Sequence, residues 1–242
     1  MSNPKGWQVT TLEKVAKGNI RNGLSPSNRG TYSGEVLTLS AITQGKFDNS
    51  ARKIAKFSIE PPIDKMVQES DLLVCRGNGN LTLVGCAKFP DKNYDGVLFP
   101  DTMIGVPINF SIIQKDYLET LWSSDAIRAQ IEQRARTTNG THKINQKSLS
   151  TLQIMLPDFD LQEKFSTAAR EIQIIQSQGG KNRFKLETLF QTLLHRAFSG
   201  DLTATWREAH MQELLQEMAH QAKALGIPHP VDYEQLELAD LS

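Results

Sequence analysis

Residues 143–200 read KINQKSLSTLQIMLPDFDLQEKFSTAAREIQIIQSQGGKNRFKLETLFQTLLHRAFSG. A polar turn leads into a short apolar strand over 152–156, which stops at Pro157. A helical pattern of about ten turns follows and ends in Phe-Ser-Gly. Phe165, Ala168, Ile172, Ile175, Leu186, Leu189 and Leu193 fall on one 3-4 spacing, with Gly179 and Asn182 at seam positions in the gap. A helix this long with so narrow an apolar stripe does not fold back into one globule. It needs a second long helix, so it predicts a strut and a dimerisation surface through Phe165, Ile172, Ile175, Leu186, Leu189 and Leu193. Two interior glycines cost about 2 kcal/mol. Gly179-Gly180 either weakens the middle of one helix over 160–198 or breaks it in two; a packed partner that absorbs the cost favours one helix. Asp160, with Glu163 three residues on, is the predicted N-cap, and Gly200 the stop.

Downstream, residues 205–225 predict a second, acidic helix that Pro228 and Pro230 end. Upstream, the pattern is mixed α/β. Residues 7–15 predict a strand and a short helix, 18–34 a loop, 36–42 a strand and 59–63 an extended connection. Residues 71–76 and 81–88 are two β-type runs, and Gly77-Asn78-Gly79-Asn80 between them predicts a tight hairpin. Residues 102–108 predict a strand, 117–136 one amphipathic helix, and 137–142 a turn-rich break. The expected class is α+β: a mixed α/β domain over 1–157, a helical spacer and dimerisation region over 158–202, and an acidic helix and tail over 203–242.

The 242 residues suit one domain plus an extended appendage. Formal net charge is zero, but it is unevenly placed. Residues 1–156 hold 19 Lys/Arg against 14 Asp/Glu, 157–199 hold 6 against 5, and 200–242 hold 2 against 8. A basic head and an acidic tail suggest different partners. No apolar run approaches a membrane span and the start has no signal-peptide core, so a cytoplasmic protein is expected. Cys75 and Cys86 sit in strand-like apolar runs and read as two thiols in a reducing compartment. Catalytic motifs are missing. Gly180-Lys181 lacks a phosphate loop's upstream glycine and following hydroxyl, and Gly77-x-Gly79 lacks the third glycine of a dinucleotide fingerprint. The Pro-Asp pairs at 90–91, 100–101 and 157–158 precede no strand carrying Glu-x-Lys. Pro61-Pro62 lacks the flanking residues an adenine methyltransferase needs. His210, His220 and His229 make no helical i, i+4 pair, so no metal site is expected.

Several segments, in this order and spacing, resemble a known family. They are Gly6-Trp7 with Leu12-Glu13-Lys14-Val15, then Asp71–Cys75 running on through Arg76-Gly77-Asn78 with Val84-Gly85. Next come Asn139-Gly140-Thr141 with Ile144-Asn145 and Leu149, then Ile154-x-Leu156-Pro157, and Gln162-Glu163. The closest resemblance is Leu189-Phe190-x-x-Leu193-Leu194-x-x-Ala197-Phe198-Ser199-Gly200-Asp201-Leu202. Over roughly 5–202 the chain resembles one half of a DNA-specificity subunit of a type I restriction-modification system. The resemblance implies that 1–157 is a target-recognition domain for one half of a split DNA target. It implies antiparallel pairing of helices like 158–202, which spaces two such domains and docks methyltransferase subunits, with a restriction and motor subunit joining the assembly. S-adenosylmethionine, ATP and magnesium would belong to those partners, so this chain would hold no cofactor and would not be an enzyme. A typical member carries two recognition domains and two helical regions; this chain has one of each. It is either a half-subunit that pairs with a copy of itself or a related half, or a fragment; Met1 directly before a complete domain favours a real start.

Expected double-stranded DNA contacts follow from residue chemistry. Arg76, Asn78 and Asn80 sit in the predicted hairpin, where Arg suits guanine and Asn suits adenine. Arg134, Arg136, Thr138, Asn139, Thr141 and Lys143 flank a break after a helix and suit phosphates. Arg21, Asn28 and Arg29 belong to a second polar loop with Asn22 and Ser27. A homodimer would read a split palindrome, its heads spaced by a strut on the order of 58 Å. The competing expectations are a coiled-coil adaptor whose head binds a protein, and a self-contained nuclease or methyltransferase, which the missing motifs oppose.

Overall fold

The computed structural model describes residues 6–138 and 140–227. Asn139, Pro228 and Pro230 lie outside the described residues, as does most of the acidic tail. Strand β1 (Gln8–Thr11) runs into the one-turn α1 (Leu12–Val15), as the sequence predicts. Then come β2 (Arg21–Asn22), β3 (Tyr32–Leu37), the short α2 (Ser40–Thr43) and β4 (Arg52–Phe57). Next are β5 (Met66–Val67), β6 (Asp71–Cys75), β7 (Gly77–Asn78), β8 (Ala87–Lys88), β9 (Tyr94–Leu98) and β10 (Met103–Pro107). Helices α3 (Lys115–Trp122) and α4 (Asp125–Arg134) precede β11 (Arg136–Thr138), β12 (Thr141–Lys143), α5 (Gln146–Ser150) and β13 (Gln153–Leu156). The long α6 (Phe159–Phe198), then α7 (Ala204–Ala209) and α8 (Met211–Leu225), complete the order. This is the expected α+β class. By compactness the chain divides into Met1–Gln173 and Ile174–Ser242.

The head is organised by β6. All five of its residues are buried, and side-chain alternation sends them to two different cores. Leu72 and Val74 join a cluster with Leu12, Ile104, Val106, Trp122, Ile131 and Leu149. Leu73 and Cys75 join Ile42, Val97, Phe99 and Met103 on the other face. An unbroken apolar run is what a strand covered on both faces requires. The sheet order is β2-β10-β6-β8, and a second sheet, β4-β3-β9-β5, packs around the second core. Gly105 on β10 leaves room for Phe99, whose ring atom would lie 2.9 Å from a Cβ there. The closing segment returns to the chain start: β13 pairs antiparallel with β1, Gln8 opposite Leu156. Both cysteines are free, and burial pushes the Cys75 thiol up to about 11.

Several local expectations need correction. The predicted loop over 18–34 contains β2, and β4 has no counterpart in the sequence reading. The strand predicted over 36–42 lies earlier, as β3. Thr38 bonds across to Ala51 and starts the turn of α2, which sends Ala41 and Ile42 inward. The tight hairpin at 77–80 is not formed. Strands β6 and β8 do pair, but β7 leaves to join β12, and 81–83 form a 3-10 turn capped by Asn80. The positive φ falls at Gly85 (+78°), not at Gly77 or Gly79. The single helix predicted over 117–136 is two. Ser123 and Ser124 return their hydroxyls to the carbonyls of Glu119 and Leu121 and end α3. The break at 137–142 is a hairpin of β11 and β12.

Helix α6 runs without a break through Gly179 and Gly180. It starts at Phe159, and the Asp158 carbonyl accepts from Leu161 and Gln162, so Asp160 lies in the first turn rather than at the cap. In Met1–Gln173 its first turns pack on the head. Buried Gln162 accepts from the Gln114 amide at 2.9 Å and donates to the Pro157 carbonyl at 2.9 Å. Phe165 meets Tyr117 edge-on, centroids 5.6 Å apart, and Arg170 pairs with Asp116 at 3.1 Å. Gly200 ends the helix at φ +79°, as expected, with its carbonyl accepting from Arg207 at 2.8 Å. The second helix predicted over 205–225 is α7 and α8, divided at His210 and stopped by Gly226 at φ +64°.

Candidate nucleic-acid interface

The three-stranded sheet β11-β12-β7 brings together two segments that lie about sixty residues apart in the chain. His142 pairs with Asn78 and Lys143 with Gly77, while Arg136 pairs with Lys143. The Arg76 carbonyl accepts from Ile144, which extends the join by a residue. Arg76, Asn78, Arg136, Thr141 and Lys143 therefore share one small sheet and its margin, with Arg136 and Lys143 exposed. Thr138 ends β11. Close fit fixes the pairing: a Cβ on Gly77 would lie 3.0 Å from Lys143 Cγ. The Thr137 hydroxyl and His142 Nδ1 share a hydrogen bond of 2.9 Å across the hairpin.

The loop beyond β7 is held from behind. Asn78 Oδ1 accepts from the Asn80 amide at 2.9 Å, and Asn80 Oδ1 accepts from the Thr82 amide and hydroxyl at 3.0 and 2.8 Å. Asn80 Oδ1 thus has both lone pairs in use and as folded Asn80 offers donors only, while Asn78 Oδ1 accepts a single bond and keeps one lone pair. Asn80 therefore suits acceptors on a base edge or a phosphate, whereas Asn78 retains the two-way contact that adenine needs. Arg128 on α4 donates to the carbonyls of Leu81, Thr82 and Val84 at 3.0, 3.2 and 2.8 Å, and pairs with Glu132. Trp122 Nε1 donates to the Gly85 carbonyl at 2.8 Å. Sequence reasoning missed both anchors: their partners are backbone carbonyls, which carry no residue signature.

The remaining candidates are placed differently. Arg76 donates to the Asp101 carbonyl at 3.1 Å, and Arg134 to the Gln130 carbonyl of its own helix at 3.0 Å. Arg21 points into the head. It grips buried Asp71 through both guanidinium ends at 3.0 and 2.6 Å and lies over the Phe99 ring. That placement gives Arg21 an intramolecular role. Asn28 borders a groove of about 430 Å³ with Ser27, Lys53 and Lys56, and Arg29 is its chain neighbour. Lys53 and Lys56 on the edge strand β4 are exposed cations the sequence reading did not single out, because β4 itself was missed. The seam residues Ile172, Ile175, Leu186, Leu189 and Leu193 are 43–67% exposed. Among the described residues, no cluster suited to a metal ion is present.

No protein-family model matches the chain. It is 27% identical over 194 residues to the type I restriction enzyme EcoKI specificity subunit of Escherichia coli (strain K12), covering 78% of this chain and 42% of that one. It is 26% identical over 210 residues to the StySPI specificity subunit of Salmonella potsdam, covering 84% and 44%. The HsdS subunit from Thermoanaerobacter tengcongensis has a similar fold, with TM-score 0.50 and 17% identity over 75% of this chain and 47% of that one. The chain thus resembles half of a type I restriction-modification specificity subunit, and it spans less than half the length of these curated relatives.

Proposed function

We propose that this chain recognises one half of a bipartite DNA target and directs methyltransferase and restriction subunits to it, without catalysing a reaction itself. The observation that carries the reading is the β11-β12-β7 sheet, which gathers Asn78, Arg136, Thr141 and Lys143 from two distant segments onto one platform. Arg136 and Lys143 supply phosphate contacts that set orientation; Asn78 and Asn80 supply the donors that meet base edges. Residues 1–157 act as the recognition domain, with the Asn28, Arg29 and Lys53 surface as a flanking contact, and 158–202 as the spacer. The seam of α6 pairs with a second copy or a related half-subunit. Phe190 and Leu194, exposed off that seam, support docking of the methyltransferase subunits. S-adenosylmethionine, ATP and magnesium then reside in the partners. No helix among the described residues is long and apolar enough to cross a membrane, and a DNA-directed role sets the chain in the cytoplasm. The test is duplex binding across a salt series, with and without the neighbouring methyltransferase, followed by mapping of methylated sites. Tight, salt-dependent binding and a defined methylated sequence are expected only with the partner. Partner binding without any DNA affinity would instead support a protein-binding adaptor.

A further inference from the structure

A line of backbone hydrogen bonds joins the β12 sheet to the edge strand β4. Ile144, after β12, donates to the Arg76 carbonyl at 2.9 Å, and the Arg76 amide donates to the Thr102 carbonyl at 2.9 Å. The neighbouring Asp101 amide donates to the Leu24 carbonyl at 3.2 Å, and a little further along that loop the Ser27 amide donates to the Lys56 carbonyl of β4 at 2.8 Å. A Cβ on Gly23 would run into the carbonyl oxygens of Phe99 and Pro100, so the loop lies directly on the turn that carries Asp101. Each link spans about one strand spacing, near 4.8 Å, and the chain between Leu24 and Ser27 adds at most about 10 Å. The whole path is therefore at most about 35 Å, roughly one turn of duplex DNA. Exposed Arg136 and Lys143 stand at one end, and exposed Arg29, Lys53 and Lys56 at the other.

Asp101 stands between these cations and is held on three sides. Its amide is bonded to Leu24, its carbonyl accepts from Arg76 Nη1 at 3.1 Å, and its Oδ2 accepts from the Ser25 hydroxyl at 2.8 Å, at the surface. Among the described residues its carboxylate makes no ion pair, and Oδ1 accepts no hydrogen bond. A carboxylate on a face that meets phosphates weakens binding to every sequence unless a base edge supplies it with a donor. It can only accept. In the major groove guanine presents acceptors and thymine an acceptor and a methyl group. Adenine presents a donor beside the N7 acceptor, and cytosine presents its N4 amino group alone. A fixed carboxylate with one free oxygen therefore favours cytosine and disfavours the other three bases.

We propose that Asp101 is a specificity-determining residue that accepts from the N4 amino group of a cytosine in the half-site, while the cations of β12 and β4 hold phosphates to either side. The proposal rests on the reading of the head as a DNA-recognition domain. The test uses the full chain with its methyltransferase, by methylation mapping and by duplex binding across a salt series. Asp101→Asn keeps the shape of the side chain and the bond from Ser25 but adds a donor, which suits adenine. One cytosine position of the parent sequence is expected to turn to adenine, its preference for cytosine falling at least about 10-fold. Asp101→Ala is expected to accept several bases at that same position and to bind unrelated DNA more tightly. Ser25→Ala removes the internal bond but keeps the carboxylate, so the choice of cytosine stands. Should Asp101→Ala fail to fold, Asp101→Asn decides alone. A residue that merely anchors the Ser25 loop would behave otherwise: Asp101→Asn would methylate the parent sequence with every base preference unchanged. That result would overturn the proposal, as would a parent half-site of A·T pairs alone. A parent complex with no defined methylated sequence would instead remove the DNA reading itself, and the role of Asp101 with it.

Discussion

At the scale of single residues, the head is decided by groups that face inward. Asp71 is buried, and burial pushes its carboxyl above the usual range while the Arg21 bonds pull it back. A carboxyl whose folded value is raised favours the folded chain in acid, and that contribution is lost as pH rises through the folded value. Removing the cation leaves a buried carboxylate with no partner. Arg21→Met is therefore expected to cost about 3–5 kcal/mol at neutral pH and clearly less in acid, where the Asp71 carboxyl is neutral. Urea unfolding at the two pH values checks this; an equal cost at both would dissociate the penalty from the Asp71 charge. Arg128 is a different case. It fixes three carbonyls of the loop that follows Asn78 and Asn80, and so orients donors it does not itself supply. Arg128→Ala is expected to relax the sequences methylated by the complex while leaving the salt slope of DNA binding intact, since the phosphate contacts are untouched. A changed slope with unchanged sites would show that Arg128 itself meets the backbone.

At the scale of elements, what was legible depended on period. The runs of β6, β10 and β13 and the long pattern of α6 carry their own periodicity, and the structure forms all four. The hairpin at 77–80 carried an equally strong local signal and failed. The deciding contact, β7 against β12, joins segments too distant for any local pattern to show. The break between α3 and α4 was hidden in the same way, because Leu121, Trp122, Ile127 and Ile131 continue a helical spacing through two serines. The candidate site was legible as chemistry but not as assembly: the Asn-rich loop and the Arg136–Lys143 region were visible, their meeting on one sheet was not. The start of α6 depends on a residue the sequence gives no reason to bury. Gln162 is 1% exposed and satisfies the Gln114 amide and the Pro157 carbonyl together. Gln162→Ala would leave both without a partner, at a cost of about 1–3 kcal/mol. Thermal unfolding reads the loss, and hydrogen exchange of the first α6 amides should rise with it; a variant as stable as the parent would mean water replaces the side chain freely.

At the scale of the whole molecule, the zero net charge conceals a division of labour. The cations that matter are few, so each weighs heavily. Neutralising one phosphate contributes a slope of roughly 0.9 to log K against log salt on duplex DNA. Arg136→Ala with Lys143→Ala is accordingly expected to lower the slope by about 2 in the complex with methyltransferase, at little cost in stability, because both side chains are exposed. A slope that does not move would take the β11-β12-β7 sheet off the DNA.

Pairing of α6 with a second copy, as proposed, would constrain the target. A two-fold pair of identical chains carries two identical heads, related by the same axis that relates the helices. Each head meets its half-site in the same way, and the two-fold places the second reading on the opposite strand. The methylated sequence is therefore expected to be a split palindrome, two inverted copies of one short sequence around an unread spacer whose length the α6 pair sets. Methylation mapping of a complex in which this chain is the sole specificity subunit tests it. Two unrelated half-sites would mean that the partner along α6 is a different half-subunit. A palindrome that turns asymmetric only when a second half-subunit is co-expressed would show that the seam accepts both partners, with the target following from which one it holds.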